Sequence, residues 1–148
     1  MNHSHYPRLA AMTLLSFAAM YVLMYSMANV LANVYPNLNQ LYMAGLMTAP
    51  MVLFEMFFMG AMYQNKKLNF AIIAVALIAF VGFFLATRYQ VGISDEEFVK
   101  SMIPHHAGAV LMCEKADLSD PEIQTLCAGI ISGQQQEIEQ MKKILERI

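Results

Sequence analysis

Charge is what this sequence has least of. Only 14% of its 148 residues are charged and 58% are hydrophobic, a balance that excludes an ordinary soluble domain. Between Arg8 and Arg88 the only formal charges are Glu55, Lys66 and Lys67. Basic clusters are missing, and the formal net charge is −2, which gives no basis for nucleic-acid binding. No nucleophile–base constellation and no phosphate-binding loop is visible, so the chain carries no sign of an enzyme. No clear A-x-A cleavage site follows the first apolar run, and that run is longer than a signal peptide's hydrophobic region, so it reads as a retained anchor.

Two parts follow from the distribution of charge: an apolar membrane domain over 1–90 and a charged, amphipathic one over 91–148. Three uncharged or nearly uncharged stretches, about 9–31, 41–63 and 68–87, are long enough to cross a bilayer, which takes about 20 apolar residues. Tyr6, Tyr35, Tyr42, Tyr63 and Tyr89 lie near their ends, as interfacial tyrosines do. YPNLNQ (35–40) and QNKKLN (64–69) read as short connecting turns. Arg8, Lys66 and Lys67 share one side and only Arg88 opposes them. The positive-inside rule therefore places the N-terminus in the cytoplasm and the C-terminal domain outside, which in a bacterial inner membrane means the periplasm.

From Ser94 onward the pattern is that of amphipathic helices. Ser94 and Glu97 have capping-box spacing, with Asp95 and Glu96 suited to the positive end of the helix dipole. That helix is predicted to run to about Ala116. A second start follows, capped either by Ser119 with Glu122 or by Asp120 with Pro121 in the first helical position. The expected product is an antiparallel two-helix hairpin. Two helices alone bury too little surface to be stable, so the expected all-α fold is three transmembrane helices plus a hairpin that dimerises into a four-helix bundle.

The hairpin holds the chemistry. At 100° per residue, one face of its first helix collects Phe98, Met102, His105, His106, Ala109, Met112, Cys113 and Ala116. One face of the second collects Ile123, Cys127, Ile130, Gln134, Glu137, Ile138, Met141 and Leu145. Both faces are expected to point inward. Pro104, inside the first helix, either kinks or restarts it, or turns the two histidines toward a common centre. Thioether and imidazole donors together suit Cu(I) or Ag(I); calcium and magnesium want oxygen, and zinc is ordinarily held by His with Cys or carboxylate. The alternative is that His and Met fill an apolar core. A turn near 118–119 sets Cys113 and Cys127 on facing surfaces. A disulfide, two buried thiols and two further Cu(I) ligands are all open to them.

The segment FVKSMIPHHAGAVLM (98–112), then DPE (120–122) and ISGQQQEIEQM (131–141), resembles the domain-of-unknown-function family 305, and the three preceding spans resemble its membrane-anchored branch. The resemblance implies a ferritin-like helical bundle and, by analogy with secreted members, copper or silver binding in metal tolerance. Carried over by position, it implies Met102, His105, His106, Met112 and Met141 as ligands, with Gln134 and Glu137 as polar partners that orient them. Di-iron ferritin-like sites use Glu-x-x-His pairs; none occurs here, which sets a redox activity aside.

Methionine is abundant: 14 residues, ten of them between Met12 and Met62. Met20, Met24 and Met27 share one face of the first span; Met43, Met47, Met51 and Met59 form a stripe on the second, with Glu55 inside it. They serve either as irregular packing or as a thioether path for Cu(I). Glu55, a carboxylate within a span, is read as protonated, as bonded to Asn29 or Tyr25, or as part of an ion site. The expected function is a membrane-anchored, outward-facing Cu(I)/Ag(I)-binding protein without an organic cofactor. Its expected partners are lipid, a second copy, and a metal exporter or metallochaperone. The competing reading is a dimerising interaction module whose histidines are structural.

Overall fold

The computed structural model describes residues 5–148, and among these the fold is all-α. Five α-helices follow in order: α1 (Tyr6–Leu23), α2 (Leu38–Phe58), α3 (Lys66–Tyr89), α4 (Asp95–Lys115) and α5 (Pro121–Leu145). Short 3-10 turns occupy Met24–Met27, Leu31–Asn33 and Gly60–Met62. Tyr6–Met27, Leu38–Phe58 and Lys66–Tyr89 are long and apolar enough to cross a membrane, which marks a membrane protein.

The chain divides into two compact units, and not at a single point. One contains residues up to Leu23 together with Asn39–Gly92; the other contains Met24–Leu38 together with Ile93–Ile148. One boundary falls between Gly92 and Ile93. Residues 24–38, expected to be the end of the first span and a short turn, instead belong to the unit of the hairpin. The α-helical part of the first candidate span ends at Leu23. Asn29, Asn33 and Asn37 lie in the segment that follows, where asparagine side chains bond locally and compete with helical hydrogen bonding. Asn33 donates to Asn29 Oδ1 at 2.7 Å, and Asn37 donates to the Tyr35 carbonyl at 2.8 Å.

In the membrane unit the core is small: Leu9, Val52, Met56, Tyr63 and Ala76, flanked by Tyr6, Met51, Leu53, Ile72 and Ile73. Leu14, Phe57, Ile78 and many other large apolar side chains point outward, as surfaces solvated by lipid do. Of the methionines, Met56 packs into the core, whereas Met43, Met47 and Met59 are exposed. Met20 Sδ accepts a hydrogen bond from Thr48 Oγ1 at 3.5 Å. Glu55 lies one turn from the end of α2 rather than deep within it, and Tyr63 Oη donates to its carboxylate at 2.9 Å. Asn65 caps α3 by accepting from Leu68 N, and its own N–H donates to Tyr6 Oη. Gln90, in the left-handed region at φ 51°, ends α3 and pairs amide to amide with Asn39.

The hairpin unit is organised around α4. Ser94 Oγ accepts from Glu97 N at 3.3 Å, as the capping spacing predicts. The Glu97 carboxylate accepts instead from Leu38 N at 2.7 Å, satisfying an orphan donor at the start of α2. Of the two candidate caps on α5, Asp120 is the one used, through Glu122 N and Ile123 N, with Pro121 opening the helix. α4 runs on through Pro104 without restarting. Proline cannot donate to the carbonyl four residues back, which is that of Lys100. Asn37 Nδ2 reaches this oxygen from the 24–38 segment at 3.5 Å, and Asn37 is itself buried. One helical turn beyond Pro104, buried Gly108 lies against Met27. The 24–38 segment therefore lies along α4, covering the proline notch.

The core of this unit is Val99, Ile103, Ala107 and Ile138, with Ala28, Tyr35, Met141, Ile144 and Leu145 packed around it. This corrects the expected inward face of α4. Val99, Ile103, Pro104, Ala107, Gly108 and Val110 are buried, whereas Phe98, His105, Met112 and Ala116 are exposed. A single partner helix would have been met by one stripe. α4 meets both α5 and the 24–38 segment, and its buried face is rotated toward both.

Replacing Asn37 with Ala is expected to leave the Lys100 carbonyl without its side-chain donor and to cost about 1–2 kcal/mol. Hydrogen exchange should then show α4 amides losing protection by about 5- to 30-fold with α3 unchanged. A Cβ at Gly108 would meet Met27 at an ordinary 3.5 Å, so Gly108→Ala should leave α4 protection as it is.

Candidate metal centre

Cys113 and Cys127 form a disulfide, with a Cα–Cα distance of 5.3 Å. This decides among the three roles open to them and removes both as thiolate ligands. It also fixes the antiparallel register of α4 and α5 at the turn end of the hairpin. Deeper in the hairpin the register is marked again, by His106 facing Glu137. Successive turns then align: Met102, four residues before His106, lies level with Met141, four residues after Glu137. Met102 and His106 on α4 thus oppose Glu137 and Met141 on α5.

His106 is held from both ring nitrogens. Its Nδ1 lies 2.9 Å from the Met102 carbonyl oxygen and its Nε2 lies 2.7 Å from Glu137 Oε2. A carbonyl can only accept, so Nδ1 carries hydrogen, and the ring is oriented with Nε2 toward α5. A carboxylate also only accepts, so the second contact is a hydrogen bond when Nε2 is protonated too. The His106 side chain is 12% exposed and that of Glu137 57%. The ring is fixed and the carboxylate is free to swing into solvent. At 2.7 Å there is no room for an ion between them, because a metal–nitrogen bond alone takes about 2.0–2.1 Å. An ion binding at Nε2 would replace the proton and displace Glu137.

The five ligand candidates do not all converge within one chain. Met102 and Met141 share one level and His106 lies one helical turn away, with Met141 half-buried against the hairpin core. His105 is exposed, its ring centroid 6.1 Å from that of His106. Met112 is also exposed, and ten residues of helix set it about 15 Å along the axis from Met102. Gln134 is half-buried one turn before Glu137 on α5. Glu55 belongs to the other compact unit. Among the described residues, no three His, Cys, Asp or Glu side chains gather closely enough to hold a metal. A site in one chain would therefore need the methionine sulfurs, a donor set of imidazole and thioether that suits a soft monovalent ion. Glu137 was expected only as a polar partner; its contact with His106 follows from the i, i+31 pairing that the disulfide register produces.

These features define a class: a membrane-spanning, all-α protein whose C-terminal helices form a disulfide-closed hairpin bearing a His–carboxylate pair. Residues 87–146 match the family described as Domain of unknown function (DUF305). The chain is also 32% identical over 138 residues to "Uncharacterized protein L153" of Acanthamoeba polyphaga mimivirus, covering 91% of this chain and 89% of that protein. This chain belongs to the same family as that viral protein, with the hairpin as its DUF305 domain. No solved structure matches it.

Reduction of the Cys113–Cys127 bond should destabilise the hairpin by about 3 kcal/mol, the value for a closed loop of about 15 residues. Thermal unfolding with and without reductant measures this, and thiol titration of the unreduced, denatured protein should find no free cysteine.

Proposed function

We propose that the protein is a membrane-anchored binder of a soft monovalent metal ion, Cu(I) or Ag(I), for metal homeostasis or tolerance. The observation that carries this reading is the His106 ring. Its Nδ1 is tied to the Met102 carbonyl and its Nε2 faces Glu137 on α5, one helical turn from the level where Met102 opposes Met141. A histidine serving only as core filler needs neither that orientation nor thioethers on both sides. Met102, His106 and Met141 would supply sulfur, nitrogen and sulfur, with Glu137 swinging aside as the ion takes Nε2. Lys66 and Lys67 in the turn before α3 support an extracytoplasmic hairpin by the positive-inside rule. We read the protein as a binder, because an imidazole between two thioethers is a donor set that suits a soft ion.

The interaction module is the second reading, and a specific surface favours including it. Phe98, His105 and Met112, seven residues apart, form an exposed strip on α4, the spacing at which helices pair. A second copy docked there would bury Phe98 and bring His105 and Met112 of each copy to a shared seam. This gives those two residues a place in metal handling that a single hairpin does not. A metal exporter or metallochaperone is the class of partner that would receive the ion.

Titration of the oxidised, full-length protein with Cu(I) and Ag(I) against a competing chelator tests the proposal. His106→Ala is expected to weaken binding at least 100-fold, and Met102→Leu and Met141→Leu about 10-fold each, by analogy with ligand and supporting-residue losses. Met112→Leu should leave the intrachain site unchanged. Equally weak binding by wild type and His106→Ala would leave the interaction module as the function.

A further inference from the structure

The three helices of the membrane unit do not close on one another. Between α1, α2 and α3 runs a groove of about 670 Å³ whose wall is almost entirely carbon. The two threonines that line it do not make it polar. Thr13 Oγ1 donates to the Leu9 carbonyl at 2.9 Å and Thr48 Oγ1 to the Ala44 carbonyl at 2.7 Å, so both hydroxyls are spent on their own helices. Water in such a groove would lack the two to four polar partners it needs. The groove is therefore dry and must be filled by something apolar.

Its two ends differ. Toward one end lie Gly45 and Phe83, where the ring occupies the space that a Cβ on Gly45 would need: such an atom would fall within 2.6 Å of three ring carbons. Toward the other end lie Tyr6 and Leu68. Tyr6 Oη donates to Asn69 Oδ1 at 2.7 Å and accepts from Asn65 N. Arg8, Lys66 and Lys67 belong to this end and all are exposed. The acidic residue near them, Glu55, is bonded to Tyr63, whose ring lies 5.2 Å from that of Tyr6. The groove thus combines an apolar trough with a cationic mouth.

The geometry points to a phospholipid site: one acyl chain of an anionic phospholipid lies in the groove, with its headgroup at Arg8, Lys66 and Lys67. Size decides against a helix from a second copy. Leu68 to Phe83 spans about 22 Å of helix, and a helix segment of that length, about 10 Å across, fills on the order of 1,700 Å³. An acyl chain is far thinner, and 22 Å exceeds the roughly 15 Å of hydrocarbon in one leaflet, half of a core about 30 Å thick. Charge decides the headgroup, since each basic residue near an anionic membrane surface favours the charged lipid by about fivefold.

Native mass spectrometry of the full-length protein, purified from a mixture of equal phosphatidylglycerol and phosphatidylcholine, tests this. Wild type should retain one phospholipid, with phosphatidylglycerol preferred at least fivefold. Ala71→Leu/Ala79→Leu places side chains in the groove and should abolish retention while helix content and elution volume stay unchanged. Arg8→Gln/Lys66→Gln/Lys67→Gln lies outside the groove. It should keep the bound lipid and lose the preference, so it reports even if the first variant fails to fold. Retention unchanged in the filled-groove variant, or a preference unchanged in the neutralised one, overturns the site. So does conversion of a dimer to a monomer by Ala71→Leu/Ala79→Leu, which would assign the groove to a second copy.

Discussion

A proline in the middle of α4 sets the constraint on which the hairpin unit depends. Pro104 leaves the Lys100 carbonyl without its usual helical donor, and a carbonyl partly withdrawn from water is better satisfied by another. Asn37 supplies it, drawing a segment otherwise placed at the end of a membrane span onto the helix that carries the histidines. Met27 against Gly108 and Leu38 N on Glu97 complete the same contact. The core of the unit forms beneath, with Val99, Ile103 and Ala107 turned toward α5 and the segment. His105 and Met112 are left outside, and His106 lies at the edge, where its ring reaches across to Glu137.

The hairpin is fixed at two levels by different chemistry. The disulfide closes the turn end covalently. The His106–Glu137 contact lies farther along and depends on protonation and solvent; with Glu137 more than half exposed, it adds little stability. Its value lies in orientation, since the Met102 carbonyl holds one nitrogen and aims the other. A weak pair at a fixed ring suits the reversible ion site proposed above. A strong buried ion pair in the same place would resist any ion that had to displace it.

The membrane unit follows another logic. It has few large buried side chains, and its polar contacts gather at the helix ends: Tyr6 with Asn65 and Asn69, Tyr63 with Glu55, Asn39 with Gln90. Among the spans, lipid is as apolar as the side chains, so burial gives little drive to close them. An open apolar groove with a cationic rim is the consequence. The two units therefore present different kinds of surface, one an apolar groove with a cationic rim and the other a helix pair bearing a His–carboxylate contact.

Composition and local pattern by themselves determined the helices. Apolar length set the three spans, and Ser94, Asp120 and Pro121 set where α4 and α5 begin. Cys113 and Cys127 could be seen to face each other, because caps, dipoles and helical period act within a few residues of chain. Tertiary structure alone decided which way α4 turns its faces, that residues 24–38 join the hairpin unit, and that Glu137 is the partner of His106. Each of these depends on a contact across many residues. The sequence separations of 63 from Asn37 to Lys100 and of 31 from His106 to Glu137 leave no periodic trace in the sequence. A helix with one neighbour shows its buried stripe in its period; α4 has two, and only packing could choose the angle between them.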